Sequence, residues 1–235
     1  LKVSFYMGPI MSREDLLKKI SQGPLLQVAL DIVDLDLALR IARDAAKIGF
    51  DIVEVGTPLL KTHGSTAISR IRELAEGSIV MVDTKTADAG GLEAEIVAKA
   101  GGDAMSVLAL SSDEVIQETI SRARDLGLSA WVDMIHIQDP LKRAEELRIL
   151  NPDILVIHVG VDVQRRRGIT VETLEKIIIE AIERGFRVAV AGGIRGESIK
   201  RMASIGASII VIGGWITKHH DPAERMKEAI RILRG

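Results

Sequence analysis

The chain of 235 residues contains no cysteine. It therefore has no disulfide, no thiolate nucleophile and no thiolate metal ligand. The lack fits a reducing compartment, and the expected location is the cytoplasm. Asparagine occurs once, at Asn151, and such scarcity of thermolabile side chains is a feature of thermophilic proteins. No apolar run approaches the roughly 18 residues that a membrane span needs. The N-terminal stretch LKVSFYMGPIMSREDLLKKI lacks the apolar core of a signal peptide. With internal methionines at Met7 and Met11, residues 1–10 are expected to be a leader rather than part of the fold. A formal net charge of −2 gives no global positive field for nucleic acid or an anionic membrane. No Pro/Ser-rich linker divides the chain, so residues 1–235 are expected to form one domain.

What the sequence does contain is repetition. Eight short apolar runs recur: Leu25–Leu30, Ile52–Val55, Ile79–Val82, Ala104–Leu108, Ser129–Met134, Ile154–Ile157, Val188–Ala191 and Ile209–Ile212. Their spacing of roughly 25 residues is the period of a strand plus a crossover helix. Amphipathic stretches such as DLDLALRIARDAAKIG lie between them. Gly49, Gly102, Gly127, Gly185 and Gly206 stand where helices should stop, since glycine takes the left-handed cap conformation at little cost. Strands apolar throughout are buried on both faces, as in a parallel sheet. Eight such units predict a single α/β domain, a (β/α)8 TIM barrel over about residues 24–233. An extra N-terminal helix is expected at Arg13–Ser21, within an extension spanning 1–22.

In such barrels the chemistry gathers where strands end. The expected ends carry Asp31, Glu54, Asp83 with Lys85, Asp133 and His158. Singly, each has an ordinary explanation as a solvated group, a helix cap or an interior histidine; Asp88, just beyond, suits an N-cap. Jointly, six ionisable groups of both signs at one mouth are costly unless paired, metal-bound or in use. The stretch VDTKTADAG is the densest part of this pattern. Strand alternation puts Asp83 and Lys85 on one inward face. Glu54 and Asp83, on adjacent strands at one height, are hard oxygen ligands suited to Mg2+. The pairs Gly192–Gly193 and Gly213–Gly214 end the last two strands, where barrels of this kind hold phosphate on backbone N–H groups. They imply a small phosphorylated substrate. QRRRG, expected in a long loop after the sixth strand, reads as a solvated basic segment, and His219–His220 as solvated too.

VDTKTADAG resembles the Asp-x-Lys-x-x-Asp signature of the orotidine monophosphate decarboxylase suprafamily. With ALD, EVGTPLL, IHVGVDVQ, AVAGGI and VIGGWIT, the chain is similar to its hexulose-6-phosphate synthase branch. The resemblance implies a dimer with shared active sites and a Mg2+-dependent aldol addition of ribulose 5-phosphate to formaldehyde. It implies that Glu54 and Asp83 bind the metal, that Lys85 and His158 are catalytic, and that Asp88 reaches the neighbouring subunit's site. Asp31 and Asp133 would position substrate hydroxyls or metal-bound waters, and the glycine pairs would hold phosphate. Orotidylate decarboxylases have a lysine where this chain has Glu54. Ketogulonate-phosphate decarboxylases have an arginine where this chain has Val161 and a glutamate where it has Asp133. The alternatives are decarboxylation of a keto-sugar acid phosphate or of orotidine monophosphate, and a non-enzymatic barrel that binds a phosphometabolite.

Overall fold

The computed structural model describes residues 11–235; the expected leader, residues 1–10, lies outside the described residues. Eight parallel strands close into a barrel: β1 (Leu25–Ala29), β2 (Ile52–Val55), β3 (Ile79–Thr86), β4 (Ala104–Leu108), β5 (Ser129–Asp133), β6 (Ile154–His158), β7 (Val188–Ala191) and β8 (Ile209–Ile212). Each pairs with its sequence neighbour, and β8 closes on β1 with Leu25 opposite Ile209. Helices fill every crossover, as the periodicity predicts.

Alternation along the strands makes two cores. Leu26, Val28 and Leu30 face outward into the layer between barrel and helices, together with Val53, Val80 and Ile210. Leu25 and Ala29 face inward with Ile52, Ile79, Met81, Trp131 and Ile209. The expected N-terminal helix is Arg13–Ile20, capped by Ser12, whose hydroxyl accepts from the Asp15 N–H. Its Leu16 and Ile20 belong to the inner core, so the helix plugs the end of the barrel where the strands begin. Trp131 fills the barrel axis and donates its Nε1–H to Ser129 Oγ at 3.0 Å.

Three aspartates tie that lower end together, each standing one residue before a strand. Asp51 accepts from the Leu26 N–H at 3.0 Å and pairs with Arg234 at 2.7 Å. Asp103 accepts from the Val80 N–H at 2.7 Å and pairs with buried Arg72, also at 2.7 Å. Asp153 pairs with Arg13, which binds it through two guanidinium nitrogens. Such contacts are structural, since barrel chemistry belongs to the opposite face.

Two expectations need correction. The helix before β4 ends on Gly101, whose φ is +92°, not on Gly102. Gly102 instead packs tightly, since a Cβ there would lie 2.5 Å from Val97. β3 also runs four residues beyond the apolar stretch, because its polar end keeps pairing with β4 through Thr86 and Val107.

Candidate active site

At the ends of the strands a cavity of about 890 Å³ opens. Asp31, Glu54, Asp83, Lys85, Asp133 and His158 all line it, and so do Gly192, Gly193, Gly213 and Gly214. The expected convergence of charge is therefore present. Asp88 is the one predicted site residue that the cavity leaves out. It is exposed on the outer rim, and its carboxylate accepts from the Ala89 N–H at 2.8 Å. It is not the helix cap either: Ala89 holds that position and makes no side-chain cap.

Asp83 and Lys85 reach the cavity by a route that simple alternation does not describe. Between Val82 and Thr86 the register slips, so that residues 83–85 stand opposite Ser106 alone. Lys85 takes a left-handed φ of +47° to complete the bulge. Ser106 holds both sides of it, donating to Asp83 Oδ1 at 2.8 Å and accepting from the Lys85 N–H at 2.9 Å. Thr57 donates to Asp83 Oδ2 at 2.6 Å. Lys85 Nζ lies 2.8 Å from Asp83 Oδ2 and 3.2 Å from Asp133 Oδ2. Glu54 and Asp83 are not at one height: Glu54 pairs with Met81, which leaves Asp83 one pleat nearer the mouth.

The electrostatics divide four of these groups into two pairs. Burial alone would lower the Lys85 ammonium, but Asp83 and Asp133 outweigh it and hold the pKa above the ordinary lysine range. Burial would raise Asp133, yet the hydrogen bond and charge of His158, with Lys85, hold it below the ordinary carboxylate range. His158 Nδ1 is 3.1 Å from Asp133 Oδ2. An ionised carboxylate only accepts, so Nδ1 donates to Asp133 and Nε2 is the ring nitrogen left for other partners. Glu54 and Asp31 form the other set. Glu54 is pushed well up, first by burial and then by Asp83 and Asp31. Asp31 keeps a face open to the cavity, but crowding by protein, and then Asp83, raise its carboxyl as well. Gly56 lets Asp31 lie this close, because a Cβ there would stand 2.4 Å from Asp31 Oδ1.

This donor set fits a hard divalent cation. At the strand ends four carboxylates, Asp31, Glu54, Asp83 and Asp133, gather with Lys85 and His158, and two of the four, Asp31 and Glu54, are raised first by burial and then by neighbouring carboxylates. Glu54 has the freer carboxylate, with Gln27 Nε2 at 2.6 Å from its Oε2. Asp83 already receives two hydroxyls and the ammonium, so it would release one of these bonds to ligate a metal.

At the other side of the cavity, Gly192 and Gly193 have φ of +117° and +82°. A Cβ on Gly192 would lie 2.5 Å from the Val159 carbonyl oxygen, so only glycine fits there. Arg195 and Lys218 line the same wall and supply cations for an anion. Arg195 stands two residues and Lys218 four residues after its glycine pair in AGGIRGES and IGGWITK, and that proximity was the available signal for them. QRRRG lies mostly in a helix, Val161–Arg167, rather than a loop. Its Gln164 donates to the Val159 carbonyl at 2.7 Å, while Arg165 lines the cavity mouth. His220 is exposed, as expected of a solvated residue; His219 is half-buried and lines the cavity, with Nδ1 2.8 Å from the Asp221 carbonyl. Gln27, Thr57 and Ser106 were not anticipated.

The model of the orotidine 5'-phosphate decarboxylase / HUMPS family matches residues 24–229. The chain belongs to this family. It is 35% identical over 203 residues to 3-hexulose-6-phosphate synthase of Mycobacterium gastri, covering 86% of this chain and 96% of that protein. It is 35% identical over 212 residues to the bifunctional enzyme Fae/Hps of Methanosarcina mazei, covering 89% of this chain and 53% of the relative. The chain thus spans about half the length of these bifunctional relatives. The crystal structure of 3-hexulose-6-phosphate synthase from Salmonella typhimurium matches with a TM-score of 0.83 and 32% identity, over 89% of this chain and 98% of that one. No helix among the described residues is long and apolar enough to cross a membrane.

Proposed function

We propose that the protein is an aldehyde-lyase that joins formaldehyde to ribulose 5-phosphate, giving hexulose 6-phosphate, and cleaves that product in reverse. The observation that carries this reading is Lys85 held cationic between Asp83 and Asp133, across a cavity from two glycine pairs, in a chain similar to named hexulose-6-phosphate synthases. The glycine loops, with Arg195 and Lys218, would take the phosphate. That would turn C1 of the ketose toward the charged end. His158 removes a C1 proton through Nε2, because Asp133 occupies Nδ1. Lys85 faces the negative charge that develops on the oxygens of the resulting enediolate. C1 then attacks the formaldehyde carbon, forming the new carbon–carbon bond, and the formaldehyde oxygen takes up a proton as it becomes a hydroxyl. Asp31, at the mouth, would orient hydroxyl groups. A Mg2+ ion held by Glu54 and Asp83 would supply further positive charge beside the substrate oxygens.

The working unit is proposed to be a homodimer. Leu92 and Ile96, 61% and 44% exposed, lie on the helix that follows Asp88, and a second copy would cover them. Asp88 would then enter the partner's cavity. The test of the reaction is incubation of the purified protein with ribulose 5-phosphate, Mg2+ and 13C-labelled formaldehyde. The label is expected in a new carbon–carbon bond. Carbon dioxide release from a keto-sugar acid phosphate, with no use of formaldehyde, would replace this reading with the decarboxylase one. Binding of ribulose 5-phosphate without turnover of either substrate would leave a non-enzymatic barrel.

A further inference from the structure

Gln27 interrupts an otherwise apolar strand, LLQVA, and faces into the barrel. It is only 2% exposed. Its Nε2 donates to Glu54 Oε2 at 2.6 Å. Its Oε1 is buried and has no hydrogen-bond partner in the protein. This orientation of the amide suits Glu54 in its ionised form, the form in which it would ligate a cation. The surrounding floor is Ala29, Met81, Trp131 and Val211, which offer no free donor, since the Trp131 N–H is taken by Ser129. A buried amide that leaves its own oxygen unpartnered while its N–H is spent on Glu54 is placed for that carboxylate rather than for the packing of its strand.

We propose that Gln27 is a positioning residue for cation binding: its Nε2 pins one oxygen of Glu54, leaving the other oxygen for the cation. The proposal rests on the divalent-cation reading given above and deepens it. Groups that orient a ligand from behind commonly change metal affinity by about 10- to 100-fold when removed. Nothing else among the described residues holds Glu54 by a side-chain hydrogen bond.

The test uses Gln27→Met, close in length and volume, with Gln27→Leu as a second variant. Mg2+ is titrated calorimetrically into each protein without sugar. Thermal unfolding is followed with and without the ion. Loss of Mg2+ affinity by about 10-fold or more, with the metal-free melting temperature within a few degrees of wild type, is the expected result. The ion-induced rise in melting temperature should shrink in step, because that rise follows from affinity. A purely structural role would lower the metal-free melting temperature and leave affinity unchanged. Wild-type affinity in either folded variant overturns the proposal while the cation reading stands. A wild-type protein that binds no Mg2+ overturns the cation reading, and this proposal with it.

Discussion

Glu54 sits among Gln27, Asp31 and Asp83, and the folded state drives its carboxyl upward, first through burial and then through the two charges. A carboxyl raised on folding costs stability at neutral pH, because the native state then prefers to keep a proton that the unfolded chain gives up. Below the ordinary carboxylate range both states are protonated and the cost disappears. Glu54→Gln should therefore raise the metal-free melting temperature near pH 7 and leave it unchanged near pH 4. Thermal unfolding at the two pH values checks this, and equal effects at both would remove the electrostatic explanation. The same variant should bind Mg2+ weakly, so that stability and function trade against each other at one residue. His158→Ala should slow exchange of the ribulose 5-phosphate C1 proton with deuterated solvent by about 10²- to 10⁴-fold, the usual worth of a positioned base. Exchange at the wild-type rate in that variant, read by proton NMR, would assign the base to Asp133 or Lys85. The charged residues were legible because each stands where an apolar run stops. Gln27 was not, because one polar residue inside LLQVA also suits a structural hydrogen bond; only its neighbour on the adjacent strand gives it meaning.

Among the elements, the apolar strand runs and the helix spacing were readable, and the eight strands follow them closely. The bulge in β3 was not. It is set by Ser106 of β4, which holds Asp83 and the Lys85 backbone at once, and single-strand alternation carries no information about a partner strand. The aspartates before β2, β4 and β6 escaped notice for the same reason, since their partners come from distant helices and from the chain terminus. They give the barrel a division of labour between its ends. Arg72→Met leaves Asp103 buried without its partner and should cost about 3–5 kcal/mol of stability. It should leave KM for ribulose 5-phosphate unchanged, because Arg72 lies at the end opposite the cavity. Denaturant unfolding and steady-state kinetics together test this; a changed KM at unchanged stability would contradict the separation of the two ends.

For the molecule as a whole, the proposed dimer makes a sharp demand. Asp88 lies outside its own cavity, while Lys85 lies inside. Asp88→Ala and Lys85→Ala should each be inactive alone, but a mixed dimer holds one site with both residues intact. Activity up to about half that of a wild-type dimer should return if the two sites work independently. Heterodimers confirmed by mass spectrometry, yet without activity, would return Asp88 to its own subunit or to the surface. The family and the barrel were legible in the sequence through strand-end motifs and period. The proposed assembly rests on resemblance, because an exposed Leu92 or Ile96 looks like any other helix residue until the fold shows which face is open. The central claim is that this cavity turns ribulose 5-phosphate into an enediolate with the help of a divalent cation. Exchange of the C1 proton in deuterated water, without formaldehyde, tests it most directly. The account predicts rapid exchange with Mg2+, loss of exchange in excess EDTA and recovery when Mg2+ is restored. Undiminished exchange in metal-free protein, or no exchange in the Mg2+-loaded enzyme, would contradict it.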